Sequence, residues 1–174
     1  MDTKTRIVSS AEHLFDRCGF TATGMDRLTA AAEVSSRTLY KHVGSKNALI
    51  AAVLKQRCVR FFDKTDVDSV DALFAALGDW NHAEGTRGCM FLRAQGETGG
   101  ETPEVSEVVA EYRRILRELI DRIVTLEIGS RRNDVLVEQV LVLFEGATSV
   151  ASYSGADAVS AARAAAATLV KAAR

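Results

Sequence analysis

Apolar residues recur every three or four positions along most of this chain, a spacing that predicts helices and no sheet. From Thr3 to Cys18 the stripe is Ile7, Ala11, Leu14, Phe15 and Cys18, with Gly19 standing where a helix C′ glycine belongs. Phe15 and Phe20 are expected to fill a small three-helix core. Residues 23–49 read as two short helices joined by a tight turn, closed by Met25, Leu28, Ala32, Val34, Leu39 and Val43. Thr23 with Asp26 three residues on forms a capping-box pattern, and Ser35 and Ser45 occupy N-cap positions for the next two runs. After Ser45 a long connecting helix follows, with Leu49, Ala52, Val53 and Val59 at helical spacing.

Residues 63–71, DKTDVDSVD, make a polar, acidic break taken as the seam between a head (1–62) and a helical body (63–174). In the body, Val70 to Trp80 is amphipathic, 81–88 reads as a loop, and a helix begins near Gly88. GGETP (99–103) is a break in which Thr102 is the expected N-cap and Pro103 the first helical residue. Val105 to Leu126 carries a six-turn apolar stripe, and Ser130 to Asp134 is expected to be a charged turn. Val135 to Tyr153 is apolar almost all round, so burial on more than one side is expected. The last run, Ala156 to Ala172, is rich in alanines that permit close helix approach. Together these two runs predict a homodimer interface of four helices.

The short helix after Ser35 is hard to explain by packing alone. Only Leu39 and Val43 face inward, whereas Ser35, Ser36, Arg37, Thr38, Tyr40, Lys41 and His42 crowd donors onto it, as in a helix made to enter a DNA major groove. Ser36, Arg37 and Lys41 are expected to project into the groove, where arginine can make a bidentate contact to guanine worth about 1–3 kcal/mol of discrimination. Charge supports this. The chain of 174 residues has net charge −1, yet residues 1–60 hold ten lysines and arginines against five acidic residues, giving +5. The remainder holds twelve against eighteen, giving −6. A basic head on an acidic body suits a polyanion partner that touches the head alone.

Other classes lack their parts. There is no HExxH, no glycine-rich phosphate loop and no GxSxG, so neither catalysis nor a cofactor is expected. His13, His42 and His82 have no helical partner at metal-ligand spacing, and Cys18, Cys58 and Cys89 form no CxxC pair, so no metal site is expected. No uninterrupted apolar run reaches about 18 residues and no signal-like segment opens the chain, so membrane spanning and secretion are disfavoured and the cytoplasm is expected. GETGGE (96–101) reads as a glycine-containing loop.

Gly19-Phe20, Thr23, Ala-x-Val-Ser at 32–35, Thr-Leu-Tyr-x-His at 38–42 and Ser-Lys at 45–46 resemble, as a set, the tetracycline-repressor (TetR) family of one-component bacterial regulators. Gly88-Cys89, Ala94 and Glu97 also resemble the second body helix of many relatives. Three positions depart from the pattern: Gly24 for a hydroxyl residue, Val43 for phenylalanine, and Glu33 for a turn glycine. If that turn requires positive φ, Glu33 carries strain of roughly 1 kcal/mol.

The resemblance implies an all-α fold, with an N-terminal three-helix helix-turn-helix DNA-binding domain and a C-terminal helical domain for ligand binding and dimerisation. It implies phosphate contacts from Thr23, Thr38, Tyr40, His42 and Lys46, with Ser35 beside them, and a double-stranded operator as partner. It also implies an inducer inside the body. Residues expected near that inducer are Trp80, Met90, Phe91, Gln95, Tyr112, Arg113, Phe144 and Tyr153, each of which ordinary packing would also explain; their aromatic character suggests an apolar or aromatic effector. Cys58, between Arg57 and Arg60, and Cys89, after Arg87, are open to a redox role as well as to plain packing. Two further readings stay open beside the repressor: a helical dimer that has lost DNA binding, and a thiol-based sensor.

Overall fold

The computed structural model describes residues 2–129 and 133–174. Among these residues the chain forms nine α-helices and no strand. They are α1 (Thr3–Cys18), α2 (Met25–Ala32), α3 (Ser36–Val43), α4 (Lys46–Asp63), α5 (Val70–Glu84), α6 (Met90–Glu97), α7 (Pro103–Ile128), α8 (Asp134–Ser154) and α9 (Ala156–Ala173). Residues 130–132, part of the expected charged turn, lie outside the described residues.

Two compact units emerge. The first comprises Met1–Arg60 and Met90–Tyr112, the second Phe61–Cys89 and Arg113–Arg174. The first boundary falls after Arg60, and the return of residues 90–112 to the first unit has no local signature.

In the first unit, α1, α2 and α3 pack on one another. Phe15 and Phe20 are buried with ring centroids 5.0 Å apart, and Ile7, Leu28, Leu39 and Leu49 complete the apolar centre. Gly19 ends α1 at φ 84°, its N–H donating to the Phe15 carbonyl. Through α4 the buried stripe runs along Leu49, Ile50, Val53, Leu54 and Cys58. Val59, expected inside, is 51% exposed, because the inward stripe passes through Leu54 and Cys58 instead.

A charged group is also buried here. Glu12 of α1 accepts from Arg57 Nη1 at 2.8 Å and from Arg60 Nη2 at 2.6 Å, both on α4. Burial alone would raise the Glu12 pKa; hydrogen bonds from Arg60 and Arg57, with their positive charge, outweigh it and hold the carboxyl below its ordinary value.

The second unit centres on aromatic packing. Phe61 meets Trp80 edge to face with centroids 5.1 Å apart and meets Phe144 at 6.1 Å, while Phe74 lies 6.2 Å from Phe144. α5 runs on to Glu84, so residues 81–84, expected as loop, are helical; Asn81 and His82 carry no breaker, and the stop comes at Gly85 with φ 92°.

α8 packs along α9 and against α5, burying Leu136, Val137, Val140, Phe144, Ala147 and Ala151. By length and composition it could cross a membrane: an 18-residue window has mean hydropathy 1.4, with 33% of it buried. Counting only uninterrupted apolar runs passes over this helix, since Glu138, Gln139 and Glu145 break the run. Its outer side exposes Val135 (68%) and Val142 (63%). These two residues, with Leu143 of α8 and Ala165, Thr168 and Leu169 of α9, line an apolar groove of ≈ 910 Å³.

Candidate nucleic-acid interface

α3 is positioned from both ends. Ser35 is its N-cap, its Oγ accepting the Thr38 N–H at 3.1 Å and lying 2.9 Å from the Thr38 hydroxyl. Gly44 closes it at φ 76°, its N–H donating to the Tyr40 carbonyl. Leu39 and Val43 are buried, and Arg37 and Lys41, one turn apart, stand on the opposite side of the helix. Ser36, Arg37, Tyr40, Lys41 and His42 are all exposed. The helix therefore presents hydroxyl, phenol, imidazole and two cations to solvent on an apolar footing.

The turn before α3 holds the left-handed residue that the sequence raised as a question. Glu33 has φ 52° and ψ 47°, and its N–H donates to the carbonyls of Thr29 and Ala30. It is the non-glycine residue with positive φ among those described. Glutamate at this position keeps the turn but bears the Cβ crowding that glycine would avoid.

Lys46 opens α4, where Ser45 Oγ accepts the Ala48 N–H at 3.0 Å. The Lys46 ammonium donates to the Thr21 carbonyl at 3.2 Å. With three donors it can hold that carbonyl and still face an anion at the N-terminal end of α4.

Thr23 is a correction. It is fully buried and its hydroxyl donates to the Gly19 carbonyl at 2.6 Å, so it offers no hydroxyl to a phosphate. Nor does it cap α2: the N-cap is Gly24, with no side-chain hydrogen bond. A hydroxyl near a helix start reads as a cap in sequence, and only the fold shows it turned inward to fix the end of α1.

The residues expected around an inducer are divided between the two units. Met90, Phe91, Gln95 and Tyr112 belong to the first unit, where Phe91 and Tyr112 stack with centroids 3.9 Å apart. Trp80, Arg113, Phe144 and Tyr153 belong to the second. Tyr153 is 79% exposed near the end of α8, and Arg113 is exposed as well. In the second unit a cavity of ≈ 500 Å³ lies between α5 and α9, lined in part by Phe74, Gly78, Asn81, His82 and Val159, and none of the eight residues lines it.

Neither cysteine singled out for redox chemistry sits as a reactive thiolate would. Cys58 is buried, and burial followed by the charge of Glu111 pushes its thiol up. Arg57 and Arg60, the neighbours expected to activate it, turn to Glu12 instead. Cys89 is also buried. A sensor thiol needs exposure and a depressed pKa.

Sequence reasoning missed two residues that brace this surface. Glu97 Oε2 of α6 accepts the backbone N–H groups of Phe20 at 2.7 Å and Thr21 at 2.8 Å. Arg93, one turn earlier, reaches the carbonyls of Phe15 at 3.3 Å and Asp16 at 3.1 Å. Glu97 is the glutamate of the Gly88-Cys89, Ala94, Glu97 pattern, and that pattern was its one signal.

Comparison with known proteins agrees with this geometry. Residues 7–53 match the family model for bacterial regulatory proteins, tetR family. Over 123 residues the chain is 25% identical to the HTH-type transcriptional regulator UidR of Escherichia coli strain K12, spanning 68% of this chain but 62% of UidR, less than two thirds of that relative. Among solved structures, SCO4454, a TetR-family transcriptional regulator from Streptomyces coelicolor, superposes with TM-score 0.89 at 22% identity, covering 98% of this chain and 95% of that one. The sav143 protein of Streptomyces avermitilis superposes with TM-score 0.82 at 27% identity, covering 99% and 98%. The fold of this chain is the fold of those regulators.

Proposed function

We propose that this chain, whose residues 7–53 match the family model for bacterial regulatory proteins, tetR family, is a one-component transcriptional regulator acting in the cytoplasm as a repressor. Two heads of a homodimer place α3 in successive major grooves, roughly 34–36 Å apart or a multiple of it, on a near-palindromic operator. Arg37 and Lys41 read or approach base edges, while Tyr40, His42 and Lys46 hold phosphates and set the register. Ser35 and Thr38 shape the start of the helix through their shared hydrogen bonds. A small apolar or aromatic effector binds the helical body and favours a state with lower operator affinity.

The observation that carries this reading is α3 itself. Its exposed side is donors and cations, and the two residues beneath them are the apolar anchors. The dimer is supported by the apolar outer side of α8 and the groove it shares with α9.

Selection of bound duplexes from a random pool by the full chain at near-physiological salt, followed by fluorescence anisotropy on the winner, tests the proposal. A near-palindromic consensus bound by two subunits is expected. Arg37→Ala should weaken that binding by about 1–3 kcal/mol and relax the preference at one base pair in each half-site. Unchanged affinity and preference would place the reading face elsewhere.

A further inference from the structure

We propose that Glu97 and Arg93 of α6 are positioning residues for DNA binding, forming a clasp that fixes the α1–α2 connection from outside the helix-turn-helix. The inference rests on the DNA-binding reading above and adds to it a second, distant part of the head.

Between Gly19 and Gly24 the chain is not helical, so the Phe20 and Thr21 N–H groups have no acceptor within a helix. Glu97 supplies an acceptor for two of them: one carboxylate oxygen receives the Phe20 and Thr21 N–H groups, and its own carbonyl receives the Thr21 hydroxyl at 3.3 Å. Arg93 supplies donors to the α1 end, at the Phe15 and Asp16 carbonyls and at Asp16 Oδ1 3.4 Å away. A cation at a helix C-terminus is favoured by the helix dipole, and a carboxylate on adjacent N–H groups makes the stronger, charge-assisted kind of hydrogen bond.

The fit at Gly19 is close. A Cβ there would meet Glu97 Oε2 at 3.1 Å and Oε1 at 3.2 Å, and φ is 84°. A bare backbone thus lets the carboxylate approach.

The carbonyls of the same segment reach Lys46 and the residue that precedes α2. The Thr21 carbonyl accepts from Lys46, and the Gly19 carbonyl accepts from Thr23, which precedes α2. Glu97 therefore holds Thr21 by its N–H while Lys46 holds it by its carbonyl. Releasing the first contact frees the residue against whose carbonyl Lys46 is placed.

Electrostatics makes the test sharp, because removing an acidic side chain from a DNA-binding unit should by charge alone tighten binding to a polyanion. A clasp predicts the opposite sign. In the full-length protein, Glu97→Ala should weaken binding to the selected duplex about tenfold, the scale of losing hydrogen bonds to a charged group. Glu97→Gln, which keeps the shape and one acceptor, should lie between Glu97→Ala and wild type.

Three readouts are taken together. The slope of log affinity against log salt should stay at the wild-type value, since no phosphate-contacting side chain is removed, whereas Lys46→Ala lowers it by about 1. Amide exchange at Phe20 and Thr21 should quicken in both Glu97 variants, and both should remain folded at the temperature of the binding assay. Should the alanine variant fail to fold, the glutamine variant decides.

Wild-type or tighter affinity in a folded Glu97 variant overturns the clasp and leaves the DNA-binding reading intact. A wild-type protein that enriches no duplex overturns both.

Discussion

Glu33, at φ 52°, holds a conformation that glycine reaches without steric cost. Glu33→Gly should raise the stability of the protein by up to about 1 kcal/mol, the left-handed strain partly offset by the greater freedom of glycine in the unfolded chain. Chemical denaturation of the two proteins measures it, and a loss of stability would show that the glutamate side chain holds the turn. At this scale the sequence was informative wherever a residue acts on near neighbours. Ser35, Ser45 and Gly19 take their expected places because a cap depends on three or four residues of context. Thr23 was misleading, since whether its hydroxyl meets solvent or the Gly19 carbonyl depends on how α1 ends.

Between elements, the link from α1 to α4 is ionic as well as apolar. Glu12 and Arg57 have side chains 10% exposed, so removing one leaves the other as a buried charge. Glu12→Gln should destabilise the fold by about 3 kcal/mol. The pH dependence follows from the sign of the shift. The folded carboxyl titrates below its unfolded value, so its contribution is present above about pH 4.3 and fades as pH falls through the lower, folded value. Glu12→Gln should flatten the stability curve in that acid window, which unfolding at a series of pH values reads directly. Apolar spacing could not disclose this link, because periodicity counts hydrophobic residues and passes over a charge that is buried with partners 45 and 48 residues away. The helices themselves were legible almost to their ends. α5 outran its expected stop because only Gly85 breaks it, and α8 was recognised as needing cover although its two glutamates concealed its overall hydropathy.

On the scale of the whole molecule, the exposed valines of α8 set the expectation of a pair of chains. Val142→Glu should place a charge in the apolar groove shared with α9 and convert the proposed dimer to monomer, as read by sedimentation equilibrium. Operator affinity should fall with it, because each monomer then contacts one half-site. An unchanged mass would move the interface off this face. The candidate recognition helix could be read from one short stretch, but the bracing by Glu97 could not, since its partners lie 76 and 77 residues away.

That distance has a consequence during synthesis. The first compact unit is assembled from Met1–Arg60 and Met90–Tyr112. A nascent chain that has exposed only its first sixty residues holds the helix-turn-helix sequence while the Phe20 and Thr21 amides still lack their carboxylate. At roughly 5–20 residues per second, the ribosome needs a few seconds more to deliver α6. Completion of the head is thereby deferred until α5, the first helix of the second unit, has been translated.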